Sequence, residues 1–422
     1  MLNLVHKIIR YLCIGCLIFI CGSQHALGQP VSIHQPNIRT LRNCVNNNPL
    51  APAIIQLHGN DQLEISFDEL SHDYHRFRYQ LTHCNTDWVP SALPESVFLD
   101  GFNDLLIEDY TPSINTTVPY THYKIKLPND QLKLKLSGNY LVTVYDEETE
   151  QPILTTAFRV VEPYITIDAS VSTNTDIDHN QGHHQLSITL SHNNYPIRNP
   201  QQELKIEVVQ NNRTDNSSRL LKPSFIGNGE IRYEHQPGLI FSAGNEYRRF
   251  ETISTRYNTF HVQSLSYHRP YYHIELQPDT YRTISYIFDY DHNGHSFIRN
   301  AETDHADTEA DYFFVHFTLL SPQALHEGEV YLQGDFTHNS FNKDNQLHYN
   351  SDKQQYECTL LLKQGAYNYQ YLFLPHGHSK AQTQTIEGNH YQTTNEYLIL
   401  VYQQTAGERY DRLIGSKLLK SP

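Results

Sequence analysis

Short segments in which apolar and polar side chains alternate recur along most of this 422-residue chain. Successive side chains of a β-strand point to opposite faces, so a period of two predicts strands with one buried and one exposed face. Turn residues such as Gly59-Asn60-Asp61 and Ser137-Gly138-Asn139 separate the segments, and no segment of helical period is long enough to compete. The clearest alternation lies at 63–67, 77–81, 123–127, 140–145, 186–190, 204–209 and 312–317. The sequence therefore predicts an all-β protein of tandem immunoglobulin-like or early-set β-sandwich domains.

Composition divides the chain into three predicted sandwiches with tails and a linker. A chain of this length is typical of roughly two to three domains. Pro163 follows the last apolar residues of the first set of strands, and the acidic stretch from Asn300 to Ala310 has the character of a linker. We predict a signal peptide at 1–28, a polar N-terminal tail at 29–50, sandwiches at 51–162, 163–300 and 312–404, a linker at 301–311 and a polar C-terminal tail at 405–422.

The N-terminus has the three parts of a secretory signal peptide. Lys7 and Arg10 form a basic start, residues 11–20 are a short apolar stretch, and Ala26-Leu27-Gly28 provides small residues for cleavage. The apolar stretch is shorter than the ~20 residues that a spanning helix needs. A lipoprotein signal at Cys21 is the alternative, although the bulky residue before this cysteine suits lipidation poorly. We therefore predict an exported protein with a cleaved signal.

The charge of the chain excludes two classes of partner. The formal net charge is −15, and removal of the signal with its two basic residues leaves 29 basic against 46 acidic side chains, or −17. Binding to nucleic acid without sequence preference needs clustered lysine and arginine, and so does docking on anionic lipid. Neither cluster is present in this sequence. We therefore expect no nucleic-acid partner and no direct anchoring to lipid.

Residue patterns for metal binding and catalysis are weak. The 26 histidines include no HExxH pair and no zinc spacing with cysteine. After signal removal Cys44, Cys84 and Cys358 remain, an odd number that permits at most one disulfide and leaves open whether Cys44 pairs with Cys84. The sequence has no nucleophile elbow, phosphate loop or dinucleotide fingerprint. We predict a non-catalytic protein without a metal site or other cofactor.

One acidic segment has two readings. Asp289-Tyr290-Asp291-His292-Asn293-Gly294 matches the opening of a calcium-binding loop, but Asn300 stands where the bidentate glutamate belongs. The flanking residues 284–288 and 297–298 are predicted strands rather than helices. A hairpin turn with Asn-Gly at its tip explains the segment more simply, and an ion at Asp289 and Asp291 remains the alternative.

The third predicted sandwich suggests an alternative function. Its segments 330–336, 347–349, 360–365 and 367–371 resemble the early-set sandwiches that include starch- and glycogen-binding modules. This resemblance implies a periplasmic or cell-surface glycan-binding protein, with Tyr367, Tyr369 and Tyr371 as candidate platform residues. Such platforms commonly use tryptophan, and the single tryptophan, Trp88, lies in the first domain.

A series of unusual polar and aromatic strings carries a more specific resemblance. The strings are His83-Cys84-Asn85-Thr86-Asp87-Trp88, Asp100-Gly101-Phe102, Ser113-Ile114-Asn115-Thr116-Thr117, Tyr120-Thr121-His122-Tyr123 and Ser137-Gly138-Asn139-Tyr140, followed by 244–250, 387–391 and 409–415. Together they resemble the plug proteins of the type IX secretion system of Bacteroidota, most densely over residues 53–162.

The resemblance implies a non-catalytic periplasmic protein. Members of that family sit against the periplasmic opening of the outer-membrane translocon barrel and close it between transport events, so the implied partner is this barrel. The candidate binding residues at the motif positions are His83, Asn85, Asp87, Trp88, Gly101, Phe102, Asn115, Thr121, His122 and Tyr123. Two roles stay open for them, namely packing and turn hydrogen bonding inside the domain, or contact with the barrel.

Overall fold

A computed structural model describes residues 31–71, 73–193, 195–219 and 221–421, so the predicted signal peptide at 1–28 lies outside the described residues. The all-β prediction is confirmed, since strands make up nearly all of the regular structure in these ranges. The α-helices found there are single turns, α1 (Glu95–Phe98), α2 (Pro200–Glu203) and α3 (Ala306–Glu309). In the same ranges no helix has the length and apolar character needed to cross a membrane.

The strands follow one another in chain order with short connections. The first twelve are β1 (Ser32–Ile33), β2 (Ile38–Val45), β3 (Ile54–Gln56), β4 (Leu63–Glu69), β5 (Phe77–Cys84), β6 (Leu99–Gly101), β7 (Leu105–Leu106), β8 (Asp109–Pro112), β9 (Thr121–Leu127), β10 (Leu132–Leu134), β11 (Gly138–Asp146) and β12 (Pro152–Val161). The next seven are β13 (Thr166–Ser172), β14 (His183–Ser191), β15 (Leu204–Gln210), β16 (Ser217–Ser218), β17 (Phe225–Ile226), β18 (Glu230–Tyr233) and β19 (Ile240–Ser242). The remainder are β20 (Arg248–Glu251), β21 (Val262–His268), β22 (Tyr271–Leu276), β23 (Ser296–Ile298), β24 (Tyr312–Leu320), β25 (Gly328–Gln333), β26 (Gln346–Asn350), β27 (Gln355–Lys363), β28 (Gly365–Pro375), β29 (Glu396–Gln403) and β30 (Arg412–Lys420).

The first domain packs two sheets around an aromatic core. One sheet has the order β1-β12-β11-β5-β7, with β3 parallel to β12, and the other has the order β2-β4-β9-β8. Alternation sends every second side chain of β5 inward. There Phe77 packs against Phe67 and Tyr123, with ring centroids 5.9 and 4.9 Å apart. The core of this domain is therefore built from the segments whose period predicted strands.

The predicted polar tail at 29–50 is wrong, because β2 lies in this interval and belongs to the core. Ile38, Leu41 and Val45 are buried although they are three and four residues apart. The pairing of β2 with β4 shifts register between Arg39 and Arg42, as it does at a β-bulge. A bulge adds a residue to one strand and breaks the period of two. Strict alternation of apolar and polar residues therefore does not predict β2.

The second domain is completed by the end of the chain. One sheet has the order β13-β14-β18-β17, with β19 also on β14, and the facing sheet has the order β16-β15-β29-β30. Strand β15 pairs with β29 from Leu204 opposite Gln403 to Gln210 opposite Tyr397. The polar tail predicted at 405–422 is therefore wrong, since β30 pairs with β29 and buries Leu413 and Ile414. Pairing across this separation leaves no local signal, which is why composition suggested a tail.

The third domain is inserted between β19 and β29 and forms one nine-stranded sheet around its own core. The strand order is β20-β28-β25-β26-β27-β24-β22-β21, with β23 on β28. The boundaries predicted at 163–300 and 312–404 are therefore misplaced, because β20 to β23 join the third core and β29 joins the second. Residues 284–288 are not a strand, since none of their backbone groups pairs with a described strand.

Candidate functional site

Three of the candidate residues, His83, Asn85 and Trp88, lie where the first domain meets the second, a region that we call the first junction. The backbone turns back after β5, with Trp88 at φ 64° and its N–H bonded to the carbonyl of Asn85 at 2.9 Å. The turn presents Thr86 to the second domain. Its N–H and hydroxyl both donate to Oδ2 of the buried Asp411, at 2.9 and 2.7 Å. The other oxygen of Asp411 accepts from Lys205 Nζ at 2.7 Å.

His83 is a neutral, fully bonded imidazole in the first junction. Burial lowers the pKa of His83 below its ordinary value. Its Nε2 lies 3.1 Å from the carbonyl of Ser137, which can only accept, so Nε2 carries the proton and Nδ1 accepts from the Ser91 hydroxyl at 2.9 Å. The ring occupies space above Gly138, where a Cβ would stand 2.7 Å from Nε2 at a φ of +132°. The role of His83 is therefore in the packing of the junction rather than in catalysis.

Trp88 is buried under a cation from β12. The Arg159 guanidinium carbon lies 5.0 Å from the centroid of the indole, and its Nε donates to the Tyr402 hydroxyl at 3.2 Å. Tyr402 in turn donates to Asn139 Oδ1 at 2.7 Å, and Asn139 Nδ2 donates to the carbonyl of Asn85 at 3.0 Å. This chain of contacts links the tryptophan turn to a strand of the second domain. Such a buried cation–π contact contributes about 2 kcal/mol where it is desolvated.

His122 lies in a second buried cluster, where the first domain meets the third, which we call the second junction. Its Nδ1 donates to Asp68 Oδ1 at 2.5 Å. The other oxygen of Asp68 accepts from Lys363 Nζ and from the Tyr312 hydroxyl, both at 2.6 Å. Burial alone would raise the pKa of Asp68, but the charge of Lys363 and the hydrogen bond from His122 outweigh it and lower that pKa. The aspartate is therefore held as a carboxylate in the interior.

The interval predicted as a linker at 301–311 forms the other wall of the second junction, so the prediction of a linker is wrong. Asp307 pairs with Arg42 at 2.6 Å and with Lys124 at 3.1 Å. Asp311 accepts hydrogen bonds from the N–H and hydroxyl of Thr117, at 2.7 and 2.6 Å. Acidic residues are typical of solvated linkers, but here Asp307 and Asp311 have partners on the first domain. Composition alone does not reveal such partners.

The other candidates on β9 serve the first domain. The Thr121 hydroxyl donates to the carbonyl of Asp73 at 3.4 Å, and the Tyr123 hydroxyl donates to the carbonyl of His75 at 2.9 Å. Both side chains are buried, and the Tyr123 ring is stacked on Phe67 at 5.3 Å. Their role is to fix the loop that precedes β5.

The four remaining candidates are exposed. Asp87 and Asn115 lie in turns, the latter at φ 59°. Gly101 has φ +117°, and a Cβ there would come within 1.9 Å of the carbonyl oxygen of Gln131, so glycine is required by the close approach of the two chains. Phe102 beside it is 80% exposed. The ten candidate residues therefore do not form one site but divide between two junctions, the first core and the surface.

Sequence reasoning missed the charged residues that complete the junctions. Lys363 is fully buried, and besides Asp68 it contacts the carbonyl of Asp307 at 2.6 Å and the Tyr120 ring at 4.1 Å. Its signal in the sequence is a lysine that ends an apolar strand, and Asp68 has the same signal after Phe67. A charge at an inward position is rarely buried without a partner. That rule marks such residues but does not say which domain supplies the partner.

The acidic segment at 289–294 forms a turn whose carboxylates already have protein partners. Asp289 pairs with Arg249 at 2.6 Å, and Asp291 accepts from the N–H of Asn293 at 3.1 Å. The N–H of His295 bonds to the carbonyl of His292 at 3.0 Å, which closes a turn around Asn293 and Gly294. In the part of the chain that the structure describes, no group of three or more His, Cys, Asp or Glu side chains is placed to hold a metal ion.

The candidate glycan platform and the cysteines are also interior features. Tyr367, Tyr369 and Tyr371 lie in the core of the third domain and are 3%, 0% and 0% exposed. The prediction that they form a sugar-binding face is wrong, because β28 is covered on both sides. Cys44, Cys84 and Cys358 are free thiols, so Cys44 and Cys84 are not paired.

Comparison with known proteins gives a family match and a close structural likeness. Residues 38–162 match the family described as type 9 secretion system plug protein 1st domain. The chain is similar to a hypothetical protein from Parabacteroides merdae ATCC 43184, whose crystal structure was determined at 2.30 Å. The sequence identity is 46% and the TM-score 0.91, over 93% of this chain and 99% of that chain.

Two further structural matches are weak. The C-terminal domain of the Streptococcus pyogenes antigen I/II-family protein AspA matches at 7% identity with a TM-score of 0.18, over 91% of this chain and 99% of that one. The C-terminal domain of the Streptococcus agalactiae AgI/II polypeptide BspA matches at 6% identity with a TM-score of 0.14, over 90% and 99%. Both scores are too low to indicate a shared fold. No curated protein matches the chain.

Proposed function

Because this chain belongs to the type IX secretion system plug protein family, we propose that it binds the periplasmic opening of the outer-membrane translocon barrel and closes it when the barrel is idle. The family is a component of protein secretion rather than a family of enzymes, and it is associated with the outer membrane on the periplasmic side. The proposal adds the specific partner and the act of sealing. It also includes export by the cleaved signal peptide at 1–28.

The observation that carries the proposal is the joining of the first domain to both of its neighbours through buried polar contacts. Asp411 ties it to the second domain, and the Asp68–Lys363 pair ties it to the third at 2.6 Å with both side chains fully buried. Removing one partner of such a pair costs about 3–5 kcal/mol. We infer that domains held in this way move as one body. A cap over a wide opening needs such rigidity, because hinged domains would let solutes pass between them.

The surface charge is compatible with attachment through a protein partner. The chain has an acidic excess of 15 charges, and its sequence contains no run of lysine and arginine that would attract anionic lipid. A contact of roughly 1,000 Å² or more with a membrane protein would hold it at the outer membrane and remain reversible.

Co-purification with the tagged barrel from detergent-solubilised outer membranes tests the binding. An exported β-sandwich protein of similar size and net charge, expressed at the same level, serves as the control. We expect the chain, and not the control, to elute with the barrel. Its repeated absence from the eluate would refute the proposal.

Sealing is tested separately with the purified barrel in dye-loaded vesicles. Added chain should slow dye release in proportion to the fraction of barrels bound. Binding without any change in release would leave the chain as a partner of the barrel and would contradict its role as a seal.

A further inference from the structure

Four large apolar side chains are exposed in one short segment of the third domain, residues 284–290, which we call the apolar loop. Ile284, Ile287, Phe288 and Tyr290 expose 96%, 76%, 56% and 78% of their surfaces. Large side chains have ~150–250 Å² each, so the loop exposes on the order of 600 Å². That area lies at the upper end of the ~300–600 Å² found for the largest apolar patch of a typical monomer, and such patches are often interaction sites.

Two polar side chains of the apolar loop, Tyr286 and Asp289, are tethered to the third domain by hydrogen bonds. The Tyr286 hydroxyl donates to Oε1 of the buried Glu246 at 2.6 Å. Asp289 forms two hydrogen bonds with the Arg249 guanidinium, at 2.6 and 3.1 Å. These two tethers hold the backbone so that the apolar side chains between them face solvent. The exposure therefore follows from the hydrogen-bonded geometry of the loop.

The segment that contains Glu246 and Arg249, the partners of the two tethers, is itself fixed in the core. The N–H of Tyr247 donates to Asp291, directly after the loop. Arg248 is buried between Asp279 at 2.7 Å and Glu387 at 3.0 Å. Tyr247, Arg248 and Glu387 belong to the strings 244–250 and 387–391 that carry the family resemblance. A loop that is ordered before binding loses little conformational entropy when it docks.

The charges around the apolar loop indicate the chemistry of its partner. Asp289 is the only charged residue from 284 to 290, and Arg249 neutralises it. Arg249 also lies over the ring of Phe260, at 5.1 Å from its centroid, and Phe260 is itself exposed. The loop contains no lysine or arginine for anionic headgroups. Its surface is apolar, aromatic and electrically neutral, which matches the buried centre of a protein–protein interface.

We infer that the apolar loop is the docking element of this chain and inserts into an apolar, uncharged pocket on the periplasmic side of the translocon barrel. The inference rests on the proposed function and adds the surface that makes the contact. A standard interface buries about 800 Å² on each partner. The loop alone supplies most of that area, so its loss removes most of the binding surface.

The test replaces Ile284, Ile287 and Phe288 together by serine in the full chain. A matched control replaces two isoleucines and one phenylalanine that are exposed on the second domain, Ile177, Ile226 and Phe225. Affinity for the tagged barrel in nanodiscs is measured by biolayer interferometry. We expect the loop variant to bind about 100-fold more weakly than the parent and the control variant to bind within about 3-fold of it. Thermal unfolding of each variant checks that the fold is unchanged.

A second measurement does not depend on these substitutions. A photo-crosslinking phenylalanine analogue at position 288 should form a covalent product with the barrel, and the same analogue at position 225 should not. Flotation of the parent with phosphatidylethanolamine vesicles tests a lipid partner for the loop.

The outcomes separate the two proposals. Absence of barrel binding by the parent refutes the proposed function. Binding by the parent together with equal binding by the loop variant overturns the docking inference alone, and so does an equal loss in both variants. Flotation of the parent that the loop variant lacks would also overturn it, in favour of a lipid surface. Loss of affinity in the loop variant alone, with a crosslink from position 288 to the barrel, supports it.

Discussion

Replacement of Lys363 by methionine is the most direct test of the second junction. The ammonium group donates to Asp68 and to the carbonyl of Asp307, both at 2.6 Å, and has no exposed surface. Methionine keeps most of the side-chain volume, so the cavity left behind is small. The change leaves Asp68 buried with two hydrogen-bond donors but without its lysine. Breaking a buried pair from one side costs about 3–5 kcal/mol, and we expect the free energy of unfolding to fall by that amount.

Urea denaturation followed by the fluorescence of Trp88 measures this loss. Trp88 is the only tryptophan of the chain and lies in the first junction, so its emission reports the unfolding of the first domain together with its contacts. Lys353→Met is the control, because Lys353 is largely exposed and pairs with Glu357 at 3.0 Å on the surface. An exposed pair contributes about 0.2–1 kcal/mol.

The double variant Lys363→Met with Asp68→Asn separates the pair from other effects. If the two side chains interact directly, the double variant should be more stable than the sum of the single losses predicts, by about 0.5–3 kcal/mol. The reasoning is refuted if Lys363→Met costs no more than Lys353→Met. Strict additivity of the two changes would show that the buried pair is not the source of the stability.

Three further predictions concern individual residues. Burial would raise the pKa of Asp307, but the charge of Arg42 outweighs it and holds that pKa below its usual range. The stabilisation from this ionised carboxylate is therefore complete above pH ~4 and is lost as the pH falls further. In thermal unfolding measured against pH, Asp307→Asn should reduce the loss of stability at acid pH, whereas Asp304→Asn at an exposed site should not. Gly101→Ala should lower the melting temperature by several degrees because its Cβ would meet a backbone oxygen at 1.9 Å, whereas Gly407→Ala, with a positive φ but open space, should lower it less. Burial raises the pKa of Cys84 to about 12, so iodoacetamide at pH 8 should modify this thiol only after unfolding, and rapid labelling of the native chain by mass spectrometry would contradict its burial.

The local sequence predicts most strands of the first domain, because their side chains alternate between a core and solvent. Phe77, Tyr79 and Leu81 are buried at the positions that this period selects. The strand Ile38–Val45 was missed since a bulge breaks the same period. The apolar composition of segment 284–288 predicts a strand, but Ile284, Ile287 and Phe288 face solvent instead of a sheet. Period and composition thus identify strands only where the pairing is regular.

The motif residues could be recognised from the sequence, but their roles could not. His83 and Trp88 are distinctive in the chain, and the structure places them at a junction with a domain whose contacting residues, Asp411 and Tyr402, follow more than 300 residues later. No sequence pattern near His83 or Trp88 indicates such a partner. The same holds for Lys363 and Asp68, which are 295 residues apart in the chain.

The all-β class, the acidic charge and the family resemblance can be read from the amino-acid sequence, because these properties depend on neighbours in the chain or on composition. The insertion of the third domain into the second became visible in the folded structure, and so did the position of residues 301–311 in a wall of a junction rather than in a linker. The folded structure also shows that tyrosines of β28 are core and that residues 284–290 are exposed. The reason is physical: burial and charge pairing depend on which distant segments meet, and no local pattern encodes that meeting.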